Sequence, residues 1–192
     1  TTFSDAYSYK ESEAKARAAE RAEQDKKDIP ENFAKEIKAY HDKAPVKING
    51  TKVLNFGENN LPFSYTVDYQ MDGLVKKAGR NIVVSVGQLF GQQTHIEGKA
   101  RKRDMDLIYD YPRSYSVTLN LNIPSGYSVA QESLQKLNNH IDNEAVRLTT
   151  KAEISDGKLV IIFQKVYKQQ RVPVAKWEQV LSMLDRAYEF TS

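Results

Sequence analysis

"YDYPRSYSVTLNLNIPSGYSV", Tyr109 to Val129, is the stretch on which the fold turns. Tyr115, Val117, Leu119, Leu121 and Ile123 occupy alternate positions, and Ser116, Thr118, Asn120 and Asn122 fill the intervals. A period of two marks a strand with one apolar and one polar face. Pro124, Ser125 and Gly126 end the run, and Tyr127 opens the next. Such a strand buries its apolar side only against a second layer, so the stretch calls for a layered β domain.

The same grammar extends in both directions. Upstream, "VKINGTKVLNF" sets Asn49-Gly50 between two short β-prone runs, which predicts a hairpin. "FSYTVDYQM" alternates Phe63, Tyr65, Val67, Tyr69 and Met71, and "NIVVSV" reads as a shorter, more buried run. Gly73, Gly79, Gly87, Gly91 and Gly98 fall between these runs as turns. "RDMDLIYDYP" predicts an extended edge that Pro112 interrupts. Downstream, "QESLQKLNNHIDNE" is a loop or one helical turn, while "AVRLTTKAEI" and "KLVIIFQKVYK" form a second hairpin about Ser155-Asp156-Gly157.

The two ends are helical in pattern. "ESEAKARAAERAEQDKK" is rich in strong helix formers but offers only alanines to bury. "DIPENFAKEIKAYHDKAP" carries Ile29, Phe33 and Ile37 on one stripe and ends at Pro45. At the other end, Val174, Trp177, Leu181, Leu184 and Tyr188 are spaced by three and four. They predict a helix begun by Pro173, with that seam on the sheet, Trp177 deepest, and Lys176, Glu178, Gln179, Ser182, Asp185 and Arg186 in water. The fold class expected is mainly β (α+β): an antiparallel β-sandwich, immunoglobulin-like or related, with two N-terminal helices and a closing C-terminal helix. Residues 1–45 form the helical segment and 46–192 the β-sandwich region with its C-terminal helix, which divides alternatively into two small β subdomains, 46–100 and 101–192.

Composition narrows the function. Of 192 residues, 28 are basic and 25 acidic, a balance that argues against nucleic acid. With no cysteine, thiol nucleophiles, disulfides and thiolate metal sites are excluded. No apolar run approaches the roughly 18 residues of a membrane helix. The chain opens on Thr1 with no signal-peptide pattern, and it reads as a piece of a longer protein, so a missing leader carries no weight.

Motifs for catalysis are thin. His41, His95 and His140 each stand alone, without metal-ligand spacing, and read as exposed loop histidines. Asp104, Asp106 and Asp110 alternate and could supply a glycosidase pair, but same-face acids more often protect an edge strand. "GKARKRD" gathers Lys99, Arg101, Lys102 and Arg103, yet the acids beside it cancel a phosphate-binding patch. Gly87 and Gly91 lie in no apolar helix, and no P-loop, nucleophile elbow or dinucleotide fingerprint occurs. Asn49-Gly50-Thr51 matches a glycosylation acceptor that the hairpin turn already explains. Eleven tyrosines remain, and Tyr65, Tyr69, Tyr109, Tyr111 and Tyr115 sit on predicted strands. They form the candidate binding face, for a glycan or a protein, against the plainer reading that they fill half-buried sheet faces. No catalytic, cofactor-binding or metal-binding residue is assigned.

"RKRDMDLIYDYPRSYSVTLNLNIPSGYSV" resembles a stretch of bacterial transglutaminase-like proteins, on Arg103, Asp106, Tyr111, Pro112, Leu121, Pro124, Gly126 and Tyr127. Met105 stands where that family often has proline, and Ser125 where it often has glutamate. "KLVIIFQKVYKQQRVPVAKWEQVLSMLDRAYEF" is similar to the family's last strand and aromatic-bearing helix. The resemblance covers about Pro45 to Ser192 and implies the C-terminal β region, of unknown function, that follows a papain-fold domain with a Cys-His-Asp site. That catalytic domain is absent here, and residues 1–45 become the linker after it. The resemblance implies a non-catalytic accessory module with no cofactor, whose partner is the catalytic domain of the same parent. It also implies a Bacteroides-like source and a periplasmic or cell-surface location. The reading from another class is a carbohydrate- or protein-binding β-sandwich module that uses exposed tyrosines.

Overall fold

A computed structural model describes residue 35 and residues 46–54, 64–91 and 93–192. The expected N-terminal helices lie outside the described residues, apart from residue 35. The chain divides into two compact units, Thr1–Leu89 and Phe90–Ser192. The described residues are mainly β, with antiparallel sheets and a C-terminal helix.

In the first unit, β1 (Val46–Leu54) pairs antiparallel with β2 (Ser64–Met71). Tyr65, Val67, Tyr69 and Met71 share the half-buried side of β2, as their alternation predicts. The expected turn at Asn49-Gly50 is absent. One continuous strand runs through it, and the register slips between Ile48 and Gly50, leaving Asn49 as the extra residue of a β-bulge. The bulge absorbs one extra residue in extended backbone, so Gly50 does not take the left-handed conformation that a two-residue turn would demand of it. A hairpin follows, β3 (Val75–Ala78) with β4 (Asn81–Val84), closed by Gly79 at φ 63° and Arg80. Its eight strand residues are all exposed, so the expectation of a buried "NIVVSV" fails. The apolar run Ile82-Val83-Val84 predicts a strand, but burial depends on what covers it.

The second unit carries the larger core. β6 (Arg113–Asn122), β7 (Asn139–Asp142), β8 (Val146–Ser155) and β9 (Lys158–Tyr167) make a four-stranded antiparallel sheet in the order β6-β9-β8-β7. The opening stretch is β6, an edge strand paired along its whole length with β9. Ser155 pairs with Lys158, so Asp156 and Gly157 alone form the β8–β9 turn. Their φ of 49° and 71° meet the demand of a type I′ turn for two left-handed residues. The loop after β6 supplies a short helix, α1 (Gln131–Lys136). The Thr150 hydroxyl, buried on β8, donates to the Leu137 carbonyl at 2.7 Å and so ties the end of α1 to the sheet.

The register places Tyr115, Val117 and Leu119 of β6, Lys165, Phe163 and Ile161 of β9, and Leu148, Thr150 and Ala152 of β8 on one inner face. The closing helix, α2 (Trp177–Thr191), lies against β8. Val180, Leu181, Met183 and Ala187 are fully buried on it. Contacts to α2 run in reverse chain order: Phe90 meets Phe190, His95 stacks on Tyr188, and Arg101 clasps Asp185. Pro173 caps a 3-10 turn, Val174–Lys176, and the α-helix proper begins at Trp177. Trp177 is buried but is not the deepest residue as expected, since Val180, Leu181, Met183 and Ala187 lie deeper and its ring reaches the margin, where its Nε1–H donates to the Arg101 carbonyl at 2.7 Å. Val174 is exposed instead of facing the sheet, because its backbone N–H is drawn to the Asp106 carboxylate. Tyr188 is half-buried under His95, and Lys176, Gln179 and Asp185 are half-buried where water was expected.

A cationic and aromatic candidate functional site

The five candidate tyrosines divide between the units. Tyr65 and Tyr69 belong to β2 of the first, where burial raises the Tyr69 pKa. Tyr109, Tyr111 and Tyr115 belong to the second. β5 (Leu107–Ile108) pairs with β10 (Arg171–Val172), which follows β9, and this pairing brings Tyr109 back beside the end of β9. The Tyr109 N–H donates to the Gln170 carbonyl at 2.8 Å. The Tyr109 ring then meets Tyr167 edge-on at 5.0 Å between centroids, and Tyr115 meets Tyr167 edge-on at 6.4 Å. Tyr111 is 61% exposed and makes no ring contact among the described residues.

Two cations thread this cluster. Arg113 pairs with Tyr167 and Tyr115 pairs with Lys165, so on the shared inner face Arg113 and Lys165 are diagonal neighbours. The Arg113 guanidinium carbon lies 4.9 Å from the Tyr109 ring, 5.3 Å from Tyr167 and 6.0 Å from Tyr115. Lys165 Nζ lies 5.3 Å from the Tyr115 ring and 5.9 Å from Tyr167. Lys165 is only 8% exposed, and its hydrogen-bond acceptor is a neutral amide, Gln93 Oε1 at 2.7 Å. The Gln93 Nε2 donates in turn to the Phe90 and Gly91 carbonyls, which fixes the amide.

No carboxylate lies within ion-pair distance of Lys165 or Arg113 among the described residues. Burial, with the Arg113 charge adding to it, pushes the Lys165 pKa down to about 8. Burial also raises the hydroxyl pKa values of Tyr167 and Tyr109. A lysine that loses its proton this readily is uncommon in a structural core, and such perturbation clusters at functional sites. The ring edges meet at steep angles, 63° and 78°, and cations occupy ring faces.

Sequence reasoning reached Tyr109, Tyr111 and Tyr115 but missed Lys165, Tyr167, Arg113 and Gln93. For Lys165 a signal existed. In "KLVIIFQKVYK" the inward positions are Leu159, Ile161, Phe163, Lys165 and Tyr167, so a lysine occupies a core-parity position. Gln93 lies 72 residues away and is placed by tertiary packing alone.

The remaining candidates have other duties. Asp106 accepts from the Val174 N–H at 2.9 Å and from Arg171 Nε at 2.8 Å, and the two hold its carboxyl below the usual value. Asp104 is exposed, and the Asp110 carbonyl accepts from Gln170. In "GKARKRD", Arg101 makes two 2.8 Å bonds to Asp185 and Arg103 lies 5.0 Å over Trp177, so the basic run fastens α2. His95 contacts Glu97 and stacks on Tyr188, His140 touches the Thr149 hydroxyl, and His41 lies outside the described residues. Among the described residues no acidic or histidine cluster is arranged for a metal ion, and no helix is long and apolar enough to cross a membrane.

The family model of the A-macroglobulin receptor binding domain matches residues 112–183, which are 72 of the 192 residues. The match begins just before β6 and ends within α2, so it takes in Arg113, Tyr115, Lys165 and Tyr167. No curated protein and no solved structure matches the chain.

Proposed function

We propose that the chain is a non-catalytic recognition module of a larger protein, and that it binds a protein partner through the tyrosine and cation cluster beside β6. The observation that carries this reading is the match to a receptor binding domain over residues 112–183, the segment that builds most of the cluster. The exposure of Tyr115 beside the guanidinium of Arg113, with Tyr111 exposed nearby in the chain, supports it, because tyrosine and arginine are enriched among the residues that carry binding at protein interfaces. A catalytic domain of the same parent is one such partner, and a periplasmic or cell-surface setting suits the role. The transglutaminase-like, Bacteroides-type parent rests on the sequence resemblance alone. An immunoglobulin-like sandwich is the architecture proposed for the β region. The glycan reading is less favoured, since sugar stacking needs open, coplanar rings and cations stand over the ring faces here.

A photo-crosslinker at Tyr111 or Tyr115 of the parent protein is expected to join one defined protein, whereas one at Thr118, exposed on the opposite side of β6, is not. Equal labelling from all three positions, or none from the tyrosines, overturns the reading. Robust peptidase, transamidase or glycosidase turnover by the chain itself does the same.

A further inference from the structure

We propose that Arg113 and Lys165 form a binding site for an oxyanion, either a carboxylate or a phosphate, at the β6 edge of the four-stranded sheet. The inference deepens the recognition reading, because it names the chemistry that the cluster takes.

Lys165 is a buried ammonium with a single neutral acceptor, and an ammonium carries three donors. Arg113 offers five donors in a fork, and no acceptor meets them among the described residues. Aromatic faces attract both groups, but a ring quadrupole does not neutralise a charge. Two like charges on one strand-pair face repel, and Arg113 does weaken the hold of Lys165 on its proton. Folded proteins rarely leave a buried charge beside a like charge with no counter-ion. An oxyanion bridging the pair removes that conflict. It takes two parallel N–H bonds from the guanidinium and one from the ammonium, the geometry for which arginine forks are used.

The surroundings suit a ligand and not a permanent partner. β6 is the edge of its sheet, so no further strand of that sheet closes the side where Arg113 and Tyr115 are exposed. Tyr109, Tyr115 and Tyr167 supply a low-dielectric wall, which strengthens the attraction of an anion for both cations.

The test uses the full chain at pH 7 and fixed ionic strength, with chloride exchanged for sodium acetate or sodium phosphate. The thermal midpoint is expected to rise saturably with one of these anions, and the effect to weaken at least about tenfold in Arg113→Gln and in Lys165→Met. A stronger response to acetate assigns a carboxylate, and a stronger response to phosphate assigns a phosphate. Either result supports the site. A rise that is equal for all salts, or saturation that survives both substitutions, overturns it. Arg113 is exposed, so Arg113→Gln keeps the test open even if Lys165→Met does not fold. Loss of the anion effect with crosslinking at Tyr111 and Tyr115 intact removes the oxyanion site and leaves the recognition module standing.

Discussion

Two hairpins of this chain obey the same local rules and reach opposite ends. β3–β4 closes on Gly79-Arg80 and β8–β9 on Asp156-Gly157, so both turn in two residues, the first with positive φ at Gly79 and the second at both positions. Both strand pairs are rich in valine and isoleucine. Yet all eight residues of the first hairpin are exposed, whereas alternate residues of the second are buried. The difference is length and cover. Ten-residue strands present a full face to α2 and join two further strands, while the four-residue pair presents no comparable face. Hairpin formation is therefore a local matter, and burial is decided by the layer above.

The largest effect should come from removing that layer's anchor. Trp177→Ala deletes a buried ring, a hydrogen bond to Arg101 and the platform under Arg103. A loss of about 3–5 kcal/mol is expected in urea unfolding followed by circular dichroism. Hydrogen exchange should show β8 and β9 opening with it while β3–β4 exchange stays as it was. If the β8–β9 amides keep their protection, the helix does not stabilise that hairpin and the contrast loses its cause.

Next in size is the buried lysine. An unfolded lysine keeps its proton to about pH 10.5, whereas Lys165 in the fold releases it from about 8. Between those values the unfolded state binds more protons, so stability rises with pH, and below 8 the full cost of the buried charge is present. Tyrosine works the other way. Above the ordinary value of 10.0, unfolded Tyr109 and Tyr167 ionise while burial keeps the folded ones neutral, so stability falls. Urea midpoints read by the fluorescence of Trp177, the one tryptophan of the chain, should climb from pH 8 and decline beyond 10. Lys165→Met should raise stability at pH 7 by about 1–3 kcal/mol and abolish the climb. A climb that persists in the variant shows that another group drives it.

These magnitudes also measure how much was legible beforehand. The alternation of β6, the Asp-Gly turn and the middle of the closing seam, Trp177, Leu181 and Leu184, are patterns of neighbouring residues and are legible, whereas the ends of that seam, Val174 and Tyr188, are not. The Asn49-Gly50 bulge was not, because the same two residues serve a turn or a bulge and only the partner strand decides between them. The burial of "NIVVSV" was misread for a related reason, since nothing in four residues reports what lies above them. The tyrosines were visible as a class, but their sorting depended on β5 pairing with β10, two residues against two across more than sixty of chain. The inward lysine could have been found by carrying the parity of β9 to its end.

Turn substitutions test the local half of the comparison. Gly157→Ala puts a side chain at φ 71°, where its Cβ meets nothing within 4 Å, so the cost is conformational and amounts to about 1–2 kcal/mol. Gly79→Ala meets the same condition at φ 63°. The local strain should match, but its reach should differ. Gly157→Ala is expected to lower the global midpoint of the second unit, while Gly79→Ala should speed exchange only at β3–β4. A global loss from Gly79→Ala would show that the exposed hairpin is coupled to a cooperative core.

The smallest expected effect is the sharpest probe of the exposed hairpin. Val83 is 52% exposed, and threonine keeps its shape and its β-branch. With little apolar surface removed from water, Val83→Thr should change stability by no more than about 0.5 kcal/mol, the usual range for surface sites. Val146→Thr, fully buried on β8, places a hydroxyl in the core instead and should cost about 1–3 kcal/mol. The ratio between the two substitutions expresses the comparison as a number. The measurement should be repeated at two protein concentrations tenfold apart. A Val83 effect that grows with concentration would mean that a second copy covers the Val75, Ile82, Val83 and Val84 surface, so that the hairpin gains in an assembly the cover it lacks in the monomer. An effect that is large and independent of concentration would mean that Val83 is buried within its own chain, and the contrast between the hairpins would collapse.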